Sequence, residues 1–468
     1  EKTAIQKWFF EQDFAQMNHW NMALLLTVSD ELSIAQINLA LTALIQQHDM
    51  LRARYYFHGG VWKQEVLEPT IDDVLVIADM CGASADDLQT KVDEIHAGLD
   101  IEAGDVSRFV LFDLGEQGRR LLLVIHHLVV DGISWRVLVE DLQLSCRQLC
   151  DGKVIDLGPK SSSFRQWSEA VREYSSSQAC IDELSYWKRL EQQTVNRIPS
   201  LENNEVDLLE HETTLSMSLS EELTKQLLTQ ANRVYRTEIN DLLLAALLRA
   251  VQRWGDREDA LILLEGHGRE DLFENLDVSR TVGWFTTMYP VQLWSSPGGT
   301  YRDLVRDVKE QLHRIPGKGI SYGILKYLVK HGLTIQPEIS FNYLGQIDNV
   351  VSADDALFEM ASESAGQFRS LQGKRIQLID IHGLVSDAKL QMNLVYSKKR
   401  HSDEMAKALL EGFVQELEGL IDYCCHQQRP EFTPSDFPLI TISQSELDSL
   451  IDQNPMLDDI YPLAPTQE

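Results

Sequence analysis

Apolar residues recur along the chain in two rhythms. From Ser33 the stretch SIAQINLALTALIQQH places Ile34, Ile37, Leu41, Leu44 and Ile45 on one helical face, with Ser33 positioned to cap the first turn. LRARYYF and VWKQEVL flank His58-Gly59-Gly60 and predict a hairpin. RFVLFDL and RLLLVIHH, on either side of a glycine-containing turn, predict another. Helices interspersed with paired strands predict a layered α/β architecture.

Between Asp151 and Asn204 the composition shifts to GPKSSS, a Trp-containing helical stretch and the polar LENNE, which marks a boundary between lobes. A second set of elements follows, with comparable content. It comprises strand HETTLSMSLS, helices SEELTKQLLTQANRVY and INDLLLAALLRAVQRWG, strands ALILLEGHG and GWFTTMYPVQLW, helix TYRDLVRDVKEQLHRI, strand ISFNYLGQ, the segment LIDIHGLVSDAKLQMNLVYS and a last helix DEMAKALLEGFVQELEGLIDYCC. RPEFTPSDFPL is Pro-rich, and the acidic end reads as a connector. The expected organisation is an N-terminal lobe over 1–180, a C-terminal lobe over 181–430 and a linker over 431–468.

The 468 residues are 44% apolar and contain no run long enough to cross a bilayer, which fits a globular chain with a sizeable core. No charged stretch followed by an apolar run opens the sequence, so nothing in it is expected to direct export, and its abrupt ends, EKTAIQKWFF and YPLAPTQE, are expected to be those of an excision from something longer. Cys81, Cys146, Cys150, Cys180, Cys424 and Cys425 form no CxxC pair, so reduced thiols in a cytoplasmic protein are expected. A formal charge of −30 argues against nucleic acid as a partner, since phosphate binding needs a basic footprint.

Candidate chemistry lies where apolar strands end in ionisable groups. HHLVVDGISW, at 126 to 135, directly follows LLLVI, and Asp131-Gly132 predicts a tight turn into the helical stretch SWRVLVEDLQLSCRQL. EGHGRE, at 265 to 270, repeats the pattern after LILL in the second half, where Gly266 and Gly268 allow close backbone approach. A carboxylate from one half and an imidazole from the other are expected to flank a cleft between lobes. SFNYLGQ ends a third strand with Asn342 and Tyr343, donors suited to stabilising charge on a carbonyl oxygen. PGKGISYG lacks the GxxxxGK[ST] spacing of a phosphate loop, and no second His/Asp cluster completes a metal site with His126, His127 and Asp131.

The ordered series IQKWFF (5 to 10), HHLVVDGISW, EGHGRE, RTVGWFTTMYPV (280 to 291), PGKGISYG (316 to 323) and FNYLG (341 to 345) resembles the core motifs of epimerization domains from nonribosomal peptide synthetases, along nearly the whole chain. Condensation domains share the HHxxxDG element but typically read Trp-Ser after the glycine, where this chain has Ile133-Ser134-Trp135. Ala4, Ser321 and Gln346 depart from the usual proline, glycine and arginine, none of them at the acid-base groups.

The resemblance implies a two-lobed, pseudo-symmetric fold similar to chloramphenicol acetyltransferase, with a tunnel between lobes. It implies an isomerase acting on an aminoacyl or peptidyl thioester, which enters on the 4'-phosphopantetheine arm of an upstream peptidyl carrier domain. No intrinsic cofactor, metal, membrane or nucleic acid is implied. IYPLAPTQE looks like the opening of a downstream condensation domain. On this reading His127 and Glu265 are the acid-base pair, with Asn342 and Tyr343 on the enolate side. His126 orients the loop, within a supporting group that includes Gly132, Ser134 and Trp135. Asp131 is assigned to fixing the His127 loop by pairing with an arginine; Arg280 and Arg52 are both candidates, and the sequence does not choose between them. Peptide-bond formation by a condensation domain and a non-catalytic carrier-docking module are the competing readings.

Overall fold

The computed structural model describes residues 2–69, 74–193, 197–202, 205–346, 357–427, 429–454 and 456–462. Thirteen strands run through them in chain order: β1 Asn21–Val28, β2 Ala53–His58, β3 Val61–Val66, β4 Leu75–Asp79, β5 Ser107–Asp113, β6 Arg119–His126, β7 Glu212–Ser218, β8 Asp259–Gly266, β9 Thr287–Trp294, β10 Ile339–Gln346, β11 Phe358–Met360, β12 Ile379–Ser386 and β13 Lys389–Ser397. They form a five-stranded sheet in the order β11-β1-β6-β5-β4, a six-stranded sheet in the order β7-β13-β12-β10-β8-β9, and the hairpin β2-β3.

Both predicted hairpins are present, β2 against β3 and β5 against β6. Ser33 caps the helix Ile34–Gln47 in a reciprocal box: its hydroxyl accepts from the Gln36 amide, and the Gln36 side chain accepts from the Ser33 amide at 2.9 Å. The uninterrupted apolar run of β6 follows from burial on both faces. Leu121, Leu123 and Ile125 enter the main core, while Leu122 and Val124 enter a second core under the helix Ala85–Ala97.

The six-stranded sheet is covered on one face only. Ile262, Phe341, Ile381 and Leu394 are buried, and the Phe341 ring meets Phe413 of the helix Asp403–Cys425 at 6.5 Å. The residues between them on β10, β12 and β13, among them Asn342, His382 and Asn393, form a polar row on the opposite face. This one-sided burial explains the alternation in those strands, and it supplies a polar floor to the space facing the other lobe.

Four expectations differ from the structure. The predicted strand GWFTTMYPVQLW is extended and paired only from Thr287, because the amides of Gly283 and Phe285 are held by Ser134 and Asp131 instead of a neighbouring strand. Asp131-Gly132 forms a helix start, not a tight reverse turn: Asp131 caps the helix Gly132–Cys150. Residues 431–468 are not simply extended linker. Phe432, Phe437 and Leu447 make a small core with the helix Gln444–Gln453, anchored by Lys309 Nζ to Asp436 at 2.6 Å and Arg306 to Asp448 at 2.9 Å. Of the tail compared with a following domain, residues 463–468 lie outside the described residues. The chain also returns once across the division expected near residue 180, since β11 pairs with β1 in the N-terminal sheet.

Candidate functional site

The two histidines at the end of β6 have different tasks. His126 is fully buried; its Nε2 donates to the Met17 carbonyl at 2.8 Å and its Nδ1 accepts from the Leu128 amide at 3.2 Å. Burial pulls its pKa down to about 3, so it is a neutral brace for the loop. His127 is only partly buried. Its amide donates to the Trp20 carbonyl, and its ring lies 4.4 Å from the Trp284 ring, centroid to centroid. Nδ1 stands 2.9 Å from the Val130 carbonyl, an acceptor only, so Nδ1 carries the proton and Nε2 presents a lone pair. Burial lowers the His127 pKa, against the opposing pull of the Val130 bond and the Asp131 charge.

On the other sheet, Glu265 ends β8. The pairing of Leu264 with Phe341 sets Glu265 beside Asn342, whose Nδ2 donates to its Oε2 at 2.8 Å. Asn342 in turn pairs with His382 on β12. Glu265 is exposed as a residue, yet surrounding protein desolvates its carboxyl and, with the negative charge of Asp380, raises its pKa to about 7. A residue that is open to solvent but whose carboxyl is strongly desolvated fits a recessed position better than a freely solvated one. The positive charge of Arg369 acts on His127, Glu265 and His382 alike, which gathers groups from both lobes around one cation. Arg369 spans the lobes physically: it bridges to Trp20 in the backbone, lies over the Trp20 ring at 5.3 Å, and approaches Glu212 on β7 at 3.8 Å.

The arginine on Asp131 is Arg269, neither of the two candidates read from the sequence. Arg280 pairs with Glu140 and Asp141, and Arg52 with Asp49 and the carbonyls of Ile45 and Leu67. Arg280 is separated from Asp131 because Asp141 lies nearly three turns farther along the same helix. Arg269 Nη2 reaches Asp131 Oδ1 at 3.0 Å and Ser134 Oγ at 3.0 Å, and its guanidinium covers the Phe285 ring at 3.9 Å. Its place inside EGHGRE was the available signal: a lone cation after a buried strand needs a buried anion.

Ser134 also binds the Gly283 backbone, and Trp135 is buried in the core. Gly132 has open space where a Cβ would stand. Tyr343 is not brought to Asn342. Strand alternation turns it to the other face of β10, where its ring would contact a Cβ at Gly383 beside Met392. Trp284, Arg369 and His382 escaped the sequence reading, because each reaches the site from a segment with no apolar-strand-to-charge signature. No cluster of three or more His, Cys, Asp or Glu side chains suited to a metal ion occurs among the described residues.

The fold and site define a two-lobed α/β protein with a histidine at the end of one sheet and a carboxyl at the end of the other. The chain matches the Condensation domain family over residues 2–438, and it belongs to that family. It is 39% identical to one of the proteins that make up the linear gramicidin synthase of Brevibacillus parabrevis, over 100% of this chain and 6% of that protein. It is 34% identical to gramicidin S synthase 1 of Brevibacillus brevis, over 96% of this chain and 42% of that protein. The chain therefore spans less than half the length of these relatives. Among solved structures, the epimerization domain from the third module of tyrocidine synthetase B superposes with a TM-score of 0.84 at 34% identity, covering 91% of this chain and 96% of that one. The first condensation domain of the CDA synthetase, at 18% identity and a TM-score of 0.69, shares the fold. The observed class is the α/β, chloramphenicol-acetyltransferase-like one expected from the motifs. No helix among the described residues is long and apolar enough to cross a membrane.

Proposed function

We propose that this domain inverts the α-carbon of an aminoacyl or peptidyl thioester, L to D, while the substrate is held on the phosphopantetheine arm of an upstream carrier domain in nonribosomal peptide synthesis. A downstream condensation domain would receive the product. The observation that carries this reading is the pair of unlike acid-base groups on separate lobes: a neutral His127 with its Nε2 free to accept, and a Glu265 carboxyl whose pKa near 7 populates acid and base forms alike.

Inversion requires proton removal from one face of the α-carbon and delivery to the other. The thioester carbonyl delocalises the intermediate negative charge as an enolate. With His127 neutral and Glu265 protonated, His127 accepts one proton as Glu265 supplies another, and the reverse reaction begins from the opposite protonation pattern. Asn342 holds the Glu265 carboxyl in position, and the Arg369 charge favours negative charge developing within the cleft. The similarity to the tyrocidine epimerization domain supports the same reading. The family match also admits peptide-bond formation as a second reading.

One experiment separates them. The protein is incubated with an L-aminoacyl carrier alone, and with two differently loaded carriers; the thioesters are then released and analysed by chiral chromatography and mass spectrometry. A mixture of D and L from the single carrier is expected. Dipeptide from the pair without inversion would establish condensation instead.

A further inference from the structure

Between the first helix, Ala4–Glu11, and the edge strand β9 lies an apolar pocket with an empty volume of about 460 Å³, its open mouth included. Its walls include Trp8, Trp167, Phe285, Met288, Ile320 and Tyr327, and no lining residue carries a charged side chain. The pocket is linked to Glu265 through Met288 and to His127 through the stacked rings of Trp8 and Trp284, although neither proposed proton-transfer group lines it. Met288 is the direct cross-strand partner of Glu265, so their side chains leave the sheet on the same face. Trp8 meets the Trp284 ring at 6.2 Å, and Trp284 is the ring packed on His127. Gly268, two residues beyond the end of β8, also lines it.

We infer that this pocket receives the side chain of the residue being inverted, and that it selects large apolar side chains, aromatic or branched aliphatic. The inference rests on the epimerization reading above. An α-carbon held between His127 and Glu265 projects its side chain away from the line joining the two groups. Of the walls described, the one reached through Met288 and Trp284 is apolar, whereas the sheet floor is polar. A carboxylate or ammonium in this pocket would lose its hydration with no counter-charge, whereas a phenyl or isobutyl group gains by leaving water.

The test uses the whole chain with L-phenylalanyl, L-leucyl, L-alanyl, L-aspartyl and L-lysyl thioesters on the phosphopantetheine arm of one carrier domain, with kcat/KM for inversion read by chiral analysis. Phenylalanyl and leucyl substrates are expected to exceed aspartyl and lysyl ones by about tenfold or more. Val171→Phe, which fills the pocket from the helix Phe164–Tyr174, is expected to lower phenylalanyl turnover about tenfold while alanyl turnover changes little. Equal turnover of all five by the native chain would overturn the pocket assignment and leave epimerization standing. Inversion of none by the folded protein would instead remove the epimerization reading, and the inference with it. The native panel decides the matter even if the filled variant does not fold.

Discussion

Arg269 and Asp131 form a buried ion pair at 3.0 Å, and it joins the two candidate motifs to each other. Asp131 follows His127 by four residues and Arg269 follows Glu265 by four, so one contact sets the spacing between the loops that carry both proposed proton-transfer groups. Asp131 also accepts from the Ser134 and Phe285 amides, which ties the helix start to the segment that carries Trp284.

Asp131→Ala is therefore expected to lower the thermal midpoint and abolish activity together. Removing one partner of a buried pair costs roughly 3–5 kcal/mol, because the remaining charge stays buried and unpaired. Arg269→Met should have a comparable effect. Melting curves followed by circular dichroism check both. An unchanged midpoint with lost activity would make Asp131 a direct participant in the chemistry.

His127→Ala and Glu265→Gln are expected to reduce inversion by roughly 10²–10⁴-fold each while leaving the fold intact, since each removes a proposed proton-transfer group without emptying a core. Chiral chromatography beside circular dichroism measures the two effects separately. Near-native inversion by either folded variant would take that residue out of the mechanism.

The pH dependence of kcat/KM should be bell-shaped. The acid limb lies below 6.5, where His127, its pKa lowered by burial, becomes protonated; the alkaline limb lies near 7, where Glu265 loses its proton. The forms active from L and from D hold the same total number of protons, so both directions share these limbs. Asn342→Leu removes a donor to the carboxylate and should move the alkaline limb upward. A pH-independent rate between 5 and 9 would contradict this assignment.

In D₂O, each single-base variant should exchange the α-hydrogen of one enantiomer only, and the two variants should differ in which. The remaining base can remove the proton from its own face and return a deuteron there, giving label without inversion, provided that it exchanges with solvent first. Mass spectrometry after separation of L- and D-aminoacyl carriers reads this directly. If one variant exchanged both enantiomers at native rates and the other neither, a single base would serve both faces.

Stability should fall in acid for a separate reason. His126 is held neutral with its pKa depressed from 6.5 to about 3, so its contribution is complete above 6.5 and is lost as pH falls from there toward 3. Thermal midpoints taken across that interval should decline, and His126→Asn, which introduces no such titration, should flatten part of the slope.

The hairpins, the Ser33 cap, the β6 run and the two strand-ending motifs were legible in the sequence, because they depend on local periodicity and on polar groups next to apolar runs. Register also lay partly within its reach: the alternation of β10, β12 and β13 already separates Asn342 from Tyr343 onto opposite faces. Which arginine meets Asp131 was left to the packing of the whole chain, because Arg52, Arg269 and Arg280 are alike as local signals and differ only in where long-range contacts deliver them. The same holds for β11 returning to the N-terminal sheet, and for Arg369 and Trp284 arriving beside His127 from distant segments. A charge in sequence shows that a partner is required; the burial that selects the partner exists only after the two sheets have packed.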